Sequence, residues 1–375
     1  MQWIFRARLA RWAGLLLAGA VVLTLGALLV AWSGLYSVAA SRGHWAAVEW
    51  ILEFGMRSSV RTHALGIDAP NLDDPDLIRL GAGHFHSGCA YCHGAPGRPV
   101  SPVALHMLPP PPKLTKSAHH WSSQELFWIV KNGLKYTGMP AWTASDRDDE
   151  VWAVVAFLER LPSLDAQQYR ALALGPLAPH APSGQAIALA QATPDAVHAC
   201  ARCHGLENEA PASDLAPTLH GQRPEFLVNA LRAYAKGVRH SGIMQPVASD
   251  LDEETIVQIA DYYAQLPPPA PIEPEDRGLA EEGRAIALEG LLASSVPPCA
   301  VCHGADALPT YPRLAGQRAA YMVNQLGLWK RGLRTQTDAD AIMAPIARRL
   351  SDRQIAAVSA YFASARPEPQ GAAQR

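Results

Sequence analysis

Three pentapeptides carry the chemistry most readily read from this chain: Cys89-Ala90-Tyr91-Cys92-His93, Cys200-Ala201-Arg202-Cys203-His204 and Cys299-Ala300-Val301-Cys302-His303. In Cys-x-x-Cys-His, two thiols add to the vinyl groups of a c-type haem and the adjacent histidine ligates its iron. A lone Cys-x-x-Cys also fits a redox dithiol or half of a zinc site. Here the three motifs use all six cysteines of the chain, and each is followed directly by histidine. That pattern reads as three covalent haem c sites, with Cys89, Cys92, Cys200, Cys203, Cys299 and Cys302 as attachment residues. His93, His204 and His303 are then one axial ligand each.

A second axial ligand must come from elsewhere in the chain. Of seven methionines, three lie in similar settings: Gly138-Met139-Pro140, Ile243-Met244-Gln245-Pro246 and Ile342-Met343-Ala344-Pro345. Met139, Met244 and Met343 are the expected ligands. Met1, Met56, Met107 and Met322 read as ordinary apolar residues. The rivals are histidines: His106, His119 and His120 near the first motif, His220 and His240 near the second. The third region has no histidine besides His303, which favours Met343 there. His/Met ligation raises the iron potential and leaves no open iron position for substrate.

These ligands need helices to hold them. Each motif is expected to follow a short helix and to precede a long loop closed by a second helix. Asp74 to Gly88 leads into the first motif. The closing helices are expected over Arg147 to Arg160, Asp252 to Gln265 and Ser351 to Ala365. Their apolar stripes are Val151, Val154, Val155 and Leu158; Ile256, Ile259, Ala260 and Tyr263; and Ile355, Val358 and Phe362. Ser351 with Gln354 fits a capping box, and Pro162, Pro267 and Pro367 sit just past the three helices. The second and third regions also match each other, Gly221-Gln222-Arg223 with Gly316-Gln317-Arg318 and Phe226-Leu227-Val228-Asn229 with Tyr321-Met322-Val323-Asn324. The first region lacks this element. Trp142, Tyr234 and Trp329 are candidate aromatic neighbours of the haem sites, with plain core as the alternative.

Ahead of all this, Arg6, Arg8 and Arg11 precede an uncharged stretch whose core, Ala13 to Trp32, is long enough for one membrane span. The stretch is read as a retained anchor with a cytoplasmic N-terminus, since Arg42 alone follows it closely. The alternative is a cleaved signal with Val38-x-Ala40 as its processing site. His44 to Met56 reads either as an interfacial helix or as an amphipathic helix packed on the first haem region. A net charge of -2 gives no basic footprint for nucleic acid.

Through Cys-x-x-Cys-His-Gly, Gly-Gln with Val-Asn-x-Leu, Ile-Met-x-Pro and closing helices bearing Tyr262-Tyr263 or Tyr361-Phe362, residues 183–366 resemble the di-haem cytochrome c4 family. The first region is similar to a generic class I cytochrome c, through its CAYCHG, Thr137-Gly138-Met139-Pro140 and closing helix. The resemblance implies all-α class I cytochrome c domains; with the first region and the N-terminal span, which depart from the two-domain family pattern, the chain reads as three tandem class I domains behind one transmembrane helix. The expected divisions are 1–42 (stub and anchor), 43–72 (connector), 73–162, 184–267 and 277–366 (haem domains), 163–183 and 268–276 (linkers) and 367–375 (tail). The anchor makes this a single-pass protein of the bacterial inner membrane with its haem domains periplasmic. The expected role is to relay single electrons from a quinol-oxidising complex to a terminal oxidase, although the added first domain departs from the family, whose redox partners do not carry over. The alternative is the cytochrome subunit of a periplasm-facing dehydrogenase, to which three-haem dehydrogenase subunits give a weaker similarity. A di-haem-peroxidase-like enzyme is a remote third reading.

Overall fold

The computed structural model describes residues 2–175, 196–207, 209–268 and 270–367. Regular structure among them is helical, and extended pairing is limited to two isolated bridges, Ala95 with Arg98 and Leu291 with Val296.

Helix α1 (Gln2–Ser33) contains an apolar stretch, Ala10–Ser33, of 24 residues, all exposed. At 1.5 Å per residue this is about 36 Å, enough to cross a hydrocarbon core of about 30 Å. Helix α2 (Ala46–Ala64) is longer than the expected His44 to Met56 segment, and its two halves differ. The C-terminal half buries Val60 and Ala64 and packs on α4 (Ser123–Asn132). The N-terminal half exposes Trp50, Ile51, Leu52 and Phe54, with the Trp50 and Phe54 rings stacked 5.6 Å apart.

Around the first motif, α3 (Pro75–His84) crosses α5 (Asp148–Arg160), and α4 packs on the other side of α5. The stripe Val151, Val154, Val155 and Leu158 is buried as expected, together with Phe157 and Phe85. Each fully buried side chain of this kind contributes about 1.5–3 kcal/mol. At the crossing, a Cβ on Gly81 would lie 1.9 Å from the Ala153 carbonyl oxygen, so only glycine lets the helices approach this closely.

The segment 163–183 was expected to be a linker, but its first half is helix α6 (Ala166–Leu174), packed on α3. The reason is local and apolar at once. Asp165 and Gln168 form a reciprocal capping box, and Tyr169, Ala173 and Leu174 are buried on one face. The Tyr169 hydroxyl also meets His86 Nδ1 at 2.8 Å. Residues 176–183 lie outside the described residues.

The second group contains α7 (Ala196–His204), α8 (Pro224–Ala235), α9 (Met244–Ser249) and α10 (Glu253–Gln265), with Ile256, Ile259, Ala260 and Tyr263 buried. The third contains α11 (Arg277–Glu289), α12 (Ala319–Arg331), α13 (Asp338–Arg349) and α14 (Asp352–Ser364). Here Ser351 and Gln354 form the expected capping box, and Gly283 repeats the role of Gly81: its Cβ would lie 1.9 Å from the Ala357 oxygen.

Candidate functional site

All three Cys-x-x-Cys-His segments are helical: Ala90–His93 after a π-turn at Phe85–Cys89, the end of α7, and Cys299–His303. In a helix, positions i, i+3 and i+4 share one face. Each motif therefore presents its two thiols and its imidazole to the same side. Gly94 and Gly205 then turn the chain away at φ 68 and 77.

The histidines share a second feature. His93 Nδ1–H donates to the Pro112 carbonyl at 2.9 Å, His204 to Pro217 at 2.9 Å and His303 to Pro312 at 3.0 Å. A carbonyl only accepts, so in each ring the proton sits on Nδ1 and Nε2 keeps its lone pair for a metal. Burial holds all three imidazoles below their ordinary pKa, helped at His204 by His220 and at His303 by the Arg223 charge. They are thus neutral, as an iron ligand must be. The sequence reading missed these prolines, although a signal was present: Pro112-Lys113-Leu114, Pro217-Thr218-Leu219 and Pro312-Arg313-Leu314 repeat Pro-x-Leu after every motif.

Met139 packs into the apolar cluster that also holds Cys89, Phe85 and Trp142. Met244 opens α9, its N–H donated to Ser241 Oγ at 2.9 Å, and Met343 lies partly buried within α13. Met322 sits in the third core with Cys299, as ordinary packing. The rival histidines differ in their surroundings, and buried His220 Nε2 has no hydrogen-bond partner. His106, His119 and His120 are exposed, and the last two meet edge-on. His240 pairs with Asp146 at 2.8 Å, while His220 is buried next to Tyr263.

The donor set fits haem c. Burial pushes the Cys89 thiol up to about 12 and Cys299 up to about 11, the opposite of a reactive dithiol. Among the described residues, no three His, Cys, Asp or Glu side chains converge as a metal-ion site. Buried guanidinium Nε atoms of Arg202, inside the second motif, and Arg313, beside Pro312, have no acceptor. Unpartnered cations at such places suit the carboxylates of a haem.

Comparison with known proteins agrees. The family model "Cytochrome C oxidase, cbb3-type, subunit III" matches residues 76–158, and "Cytochrome c" matches 280–366. A "Thiosulfate dehydrogenase electron acceptor" of Thiomonas intermedia is 33% identical over 177 residues, 46% of this chain and 81% of that protein. Cytochrome c4 of Pseudomonas aeruginosa is 31% identical over 167 residues, 44% of this chain and 82% of that one. The chain belongs to the cytochrome c4 family. It is a c-type cytochrome with covalently bound haem c, and its work is electron transfer. The solved cytochrome c4 of Acidithiobacillus ferrooxidans, 33% identical, covers 44% of this chain and 97% of its own, with a TM-score of 0.41.

In this cytochrome the Gly-Gln-Arg elements join the second and third regions. Gln222 Nε2 donates to the Arg313 carbonyl at 3.0 Å and its Oε1 accepts the Arg313 N–H at 2.8 Å. Gln317 does the same to Thr218, at 3.0 and 2.8 Å. Each glutamine thus grips the residue that follows the other region's histidine-holding proline. The aromatic pair also matches: Arg239 lies 4.5 Å over the Tyr234 ring and Arg334 lies 3.9 Å over Trp329.

Proposed function

We propose that this cytochrome holds three haem c groups in tandem domains at 73–162, 184–267 and 277–366, and relays single electrons along them. Cys89 and Cys92, Cys200 and Cys203, and Cys299 and Cys302 attach the groups. His93 with Met139, His204 with Met244, and His303 with Met343 are the axial pairs. The observation that carries this reading is the threefold Nδ1–H bond to a proline carbonyl, which leaves an identical Nε2 ligand beside each thiol pair.

The bound haems supply a reversible one-electron iron couple. The protein's part is to fix that couple. Thioether links from the cysteines would prevent loss, the proline carbonyls orient the imidazoles, and Met139, Met244 and Met343 would help hold the irons and close them to substrate. One electron enters and one leaves, with no bond made or broken. Helix α1 tethers the domains to the outer face of the bacterial inner membrane.

For partners, the match of residues 76–158 to an oxidase subunit model supports a relay from a quinol-oxidising complex to a terminal oxidase. The relatives named as thiosulfate dehydrogenase electron acceptors support the second reading, a cytochrome that accepts electrons from a periplasmic dehydrogenase.

The test is haem stoichiometry and spectroscopy of the intact chain. Three haems per chain, each low-spin with a methionine-to-iron charge-transfer band, are expected. Met139→Ala, Met244→Ala and Met343→Ala should each open one iron to CO. Two haems per chain, or CO binding unchanged by Met139→Ala while His106→Ala alters the spectrum, would overturn the assignment.

A further inference from the structure

In the third region the loop before Met343 is held by a cage built from its own chain. Asp340, three residues ahead of Met343 and 3% exposed, accepts the N–H groups of Gln336 at 3.1 Å and Thr337 at 2.8 Å. It also accepts the Trp329 indole N–H at 2.6 Å and ion-pairs with Arg334 at 3.4 Å. The cage is a buried carboxylate with one arginine, one tryptophan and two backbone amides.

The second region has no such carboxylate. The residue three ahead of Met244 is Ser241, and its Tyr234 and Arg239 turn to the third region, where Arg239 donates to Tyr321 and Gln325. Yet a carboxylate, an arginine and a tryptophan likewise surround Ser241, and all three come from the first region. Glu150, 4% exposed, accepts the Ser241 hydroxyl at 2.6 Å and the Gly242 N–H at 2.6 Å. Arg147 pairs with Glu150 at 2.9 Å and donates to the His240 carbonyl at 2.9 Å. The Trp142 indole N–H reaches Glu150 at 3.4 Å, and its ring covers Gly242 so closely that a Cβ there would lie 2.1 Å from Nε1. Ser241 Oγ in turn accepts the N–H groups of Ile243 at 3.3 Å and Met244 at 2.9 Å.

We infer that the first haem region supplies in trans, through Glu150, Arg147 and Trp142, the cage that positions Met244. The third region makes the corresponding cage for Met343 from its own Asp340, Arg334 and Trp329. Glu150 is thus a positioning residue for the second iron centre, acting through Ser241, and the second region is incomplete without the first. The inference rests on Met244 being an axial ligand.

The experiment uses the full-length holoprotein and follows the methionine-to-iron charge-transfer band, CO binding to the reduced form and the redox titration. Glu150→Ala is expected to remove the band contribution of one centre, let that centre bind CO and lower its potential, with all haems still attached. Adding Ser241→Asp to Glu150→Ala places the carboxylate in cis, as in the third region, and is expected to restore the band. Should Glu150→Ala fail to fold, Ser241→Ala breaks the same link while leaving Arg147 its partner. Met244→Ala is measured alongside. If it changes none of these readouts, the ligand assignment fails. If it changes them and neither Glu150→Ala nor Ser241→Ala does, the trans cage is overturned.

Discussion

Gln222 and Gln317 offer a sharp test, because each should act on the iron centre of the region it does not belong to. The Gln222 side chain makes three hydrogen bonds: with the Arg313 carbonyl, the Arg313 N–H and the N–H of Arg223. At about 1 kcal/mol net for each, Gln222→Ala should cost about 3 kcal/mol, and more if water fails to reach the stranded Arg313 groups. Gln317 makes the matching three bonds, with the Thr218 carbonyl, the Thr218 N–H and the Arg318 N–H, so Gln317→Ala should cost a similar amount. Because both residues close one interface, the double variant should cost less than the sum by about 0.5–3 kcal/mol. Urea unfolding followed by helical circular dichroism measures this directly. The crossed effect is the stronger check. Arg313 follows Pro312, which holds His303, so Gln222→Ala should shift the third centre's potential and leave the second nearly unmoved. Gln317→Ala should do the reverse through Thr218 and Pro217. Losses below about 0.5 kcal/mol, strict additivity, or a shift confined to the mutated residue's own region would refute the reasoning.

Other outcomes follow from the same geometry. Gly283→Ala drives a methyl into the Ala357 carbonyl and should cost about 3 kcal/mol or more, whereas Gly55→Ala, on an exposed helical position with open space around it, should cost nothing, both read by thermal unfolding. Burial, with help from Arg202, lowers His84 to about 4. The unfolded chain takes up that proton near 6.5 while the folded chain does not, so stability should fall as pH drops from about 6.5 to 4, by up to about 3 kcal/mol. His86, lowered to about 4 by burial and Arg202 as well, contributes a similar share, so His84→Leu should reduce that part of the stability-against-pH curve and His84→Leu with His86→Leu should reduce it further; a curve unchanged by His84→Leu would show that His84 is not among the groups responsible.

Much of the fold was legible because its signals are local. The stripe Ile256, Ile259, Ala260 and Tyr263 states which face is buried, and Ser351 with Gln354 states where a helix starts. Helix α6 carried the same kind of signal in Asp165 and Gln168, masked by the prolines that follow it in the sequence. The Pro-x-Leu repeat was equally visible, but nothing in a sequence says that a proline carbonyl faces an imidazole. What could not be read was contact between regions. Gly-Gln-Arg announced a repeat without announcing a reciprocal grip. By sequence Glu150 is one of three acids in a helix's first turn, where the macrodipole favours them. Its second role depends on Ser241, far along the chain, and no periodicity relates the two.

The repeat is also broken at one place that bears on electron flow. The glutamine grip is symmetric, but the arginines that follow it are not. Arg223, 2% exposed, donates to the carbonyls of Gly304 at 2.5 Å, Ala305 at 3.2 Å and Tyr311 at 2.7 Å, against the end of the third motif. Its counterpart Arg318 ion-pairs instead with Asp214, whose side chain is half exposed, at 3.0 Å. On the proposed assignment the third centre would lie beside a buried cation with no protein carboxylate on it among the described residues, and the second beside a paired one. A nearby cation disfavours the extra positive charge of the oxidised iron and so raises its potential. At an effective dielectric of about 20, a full charge roughly 10 Å away is worth about 1.7 kcal/mol, or about 70 mV for one electron. Arg223→Gln should lower the third centre's potential by tens of millivolts, while Arg318→Gln, whose charge is already paired and partly screened, should move the second far less. Equal shifts from the two variants would mean that the asymmetry is structural only and does not set the direction in which electrons run.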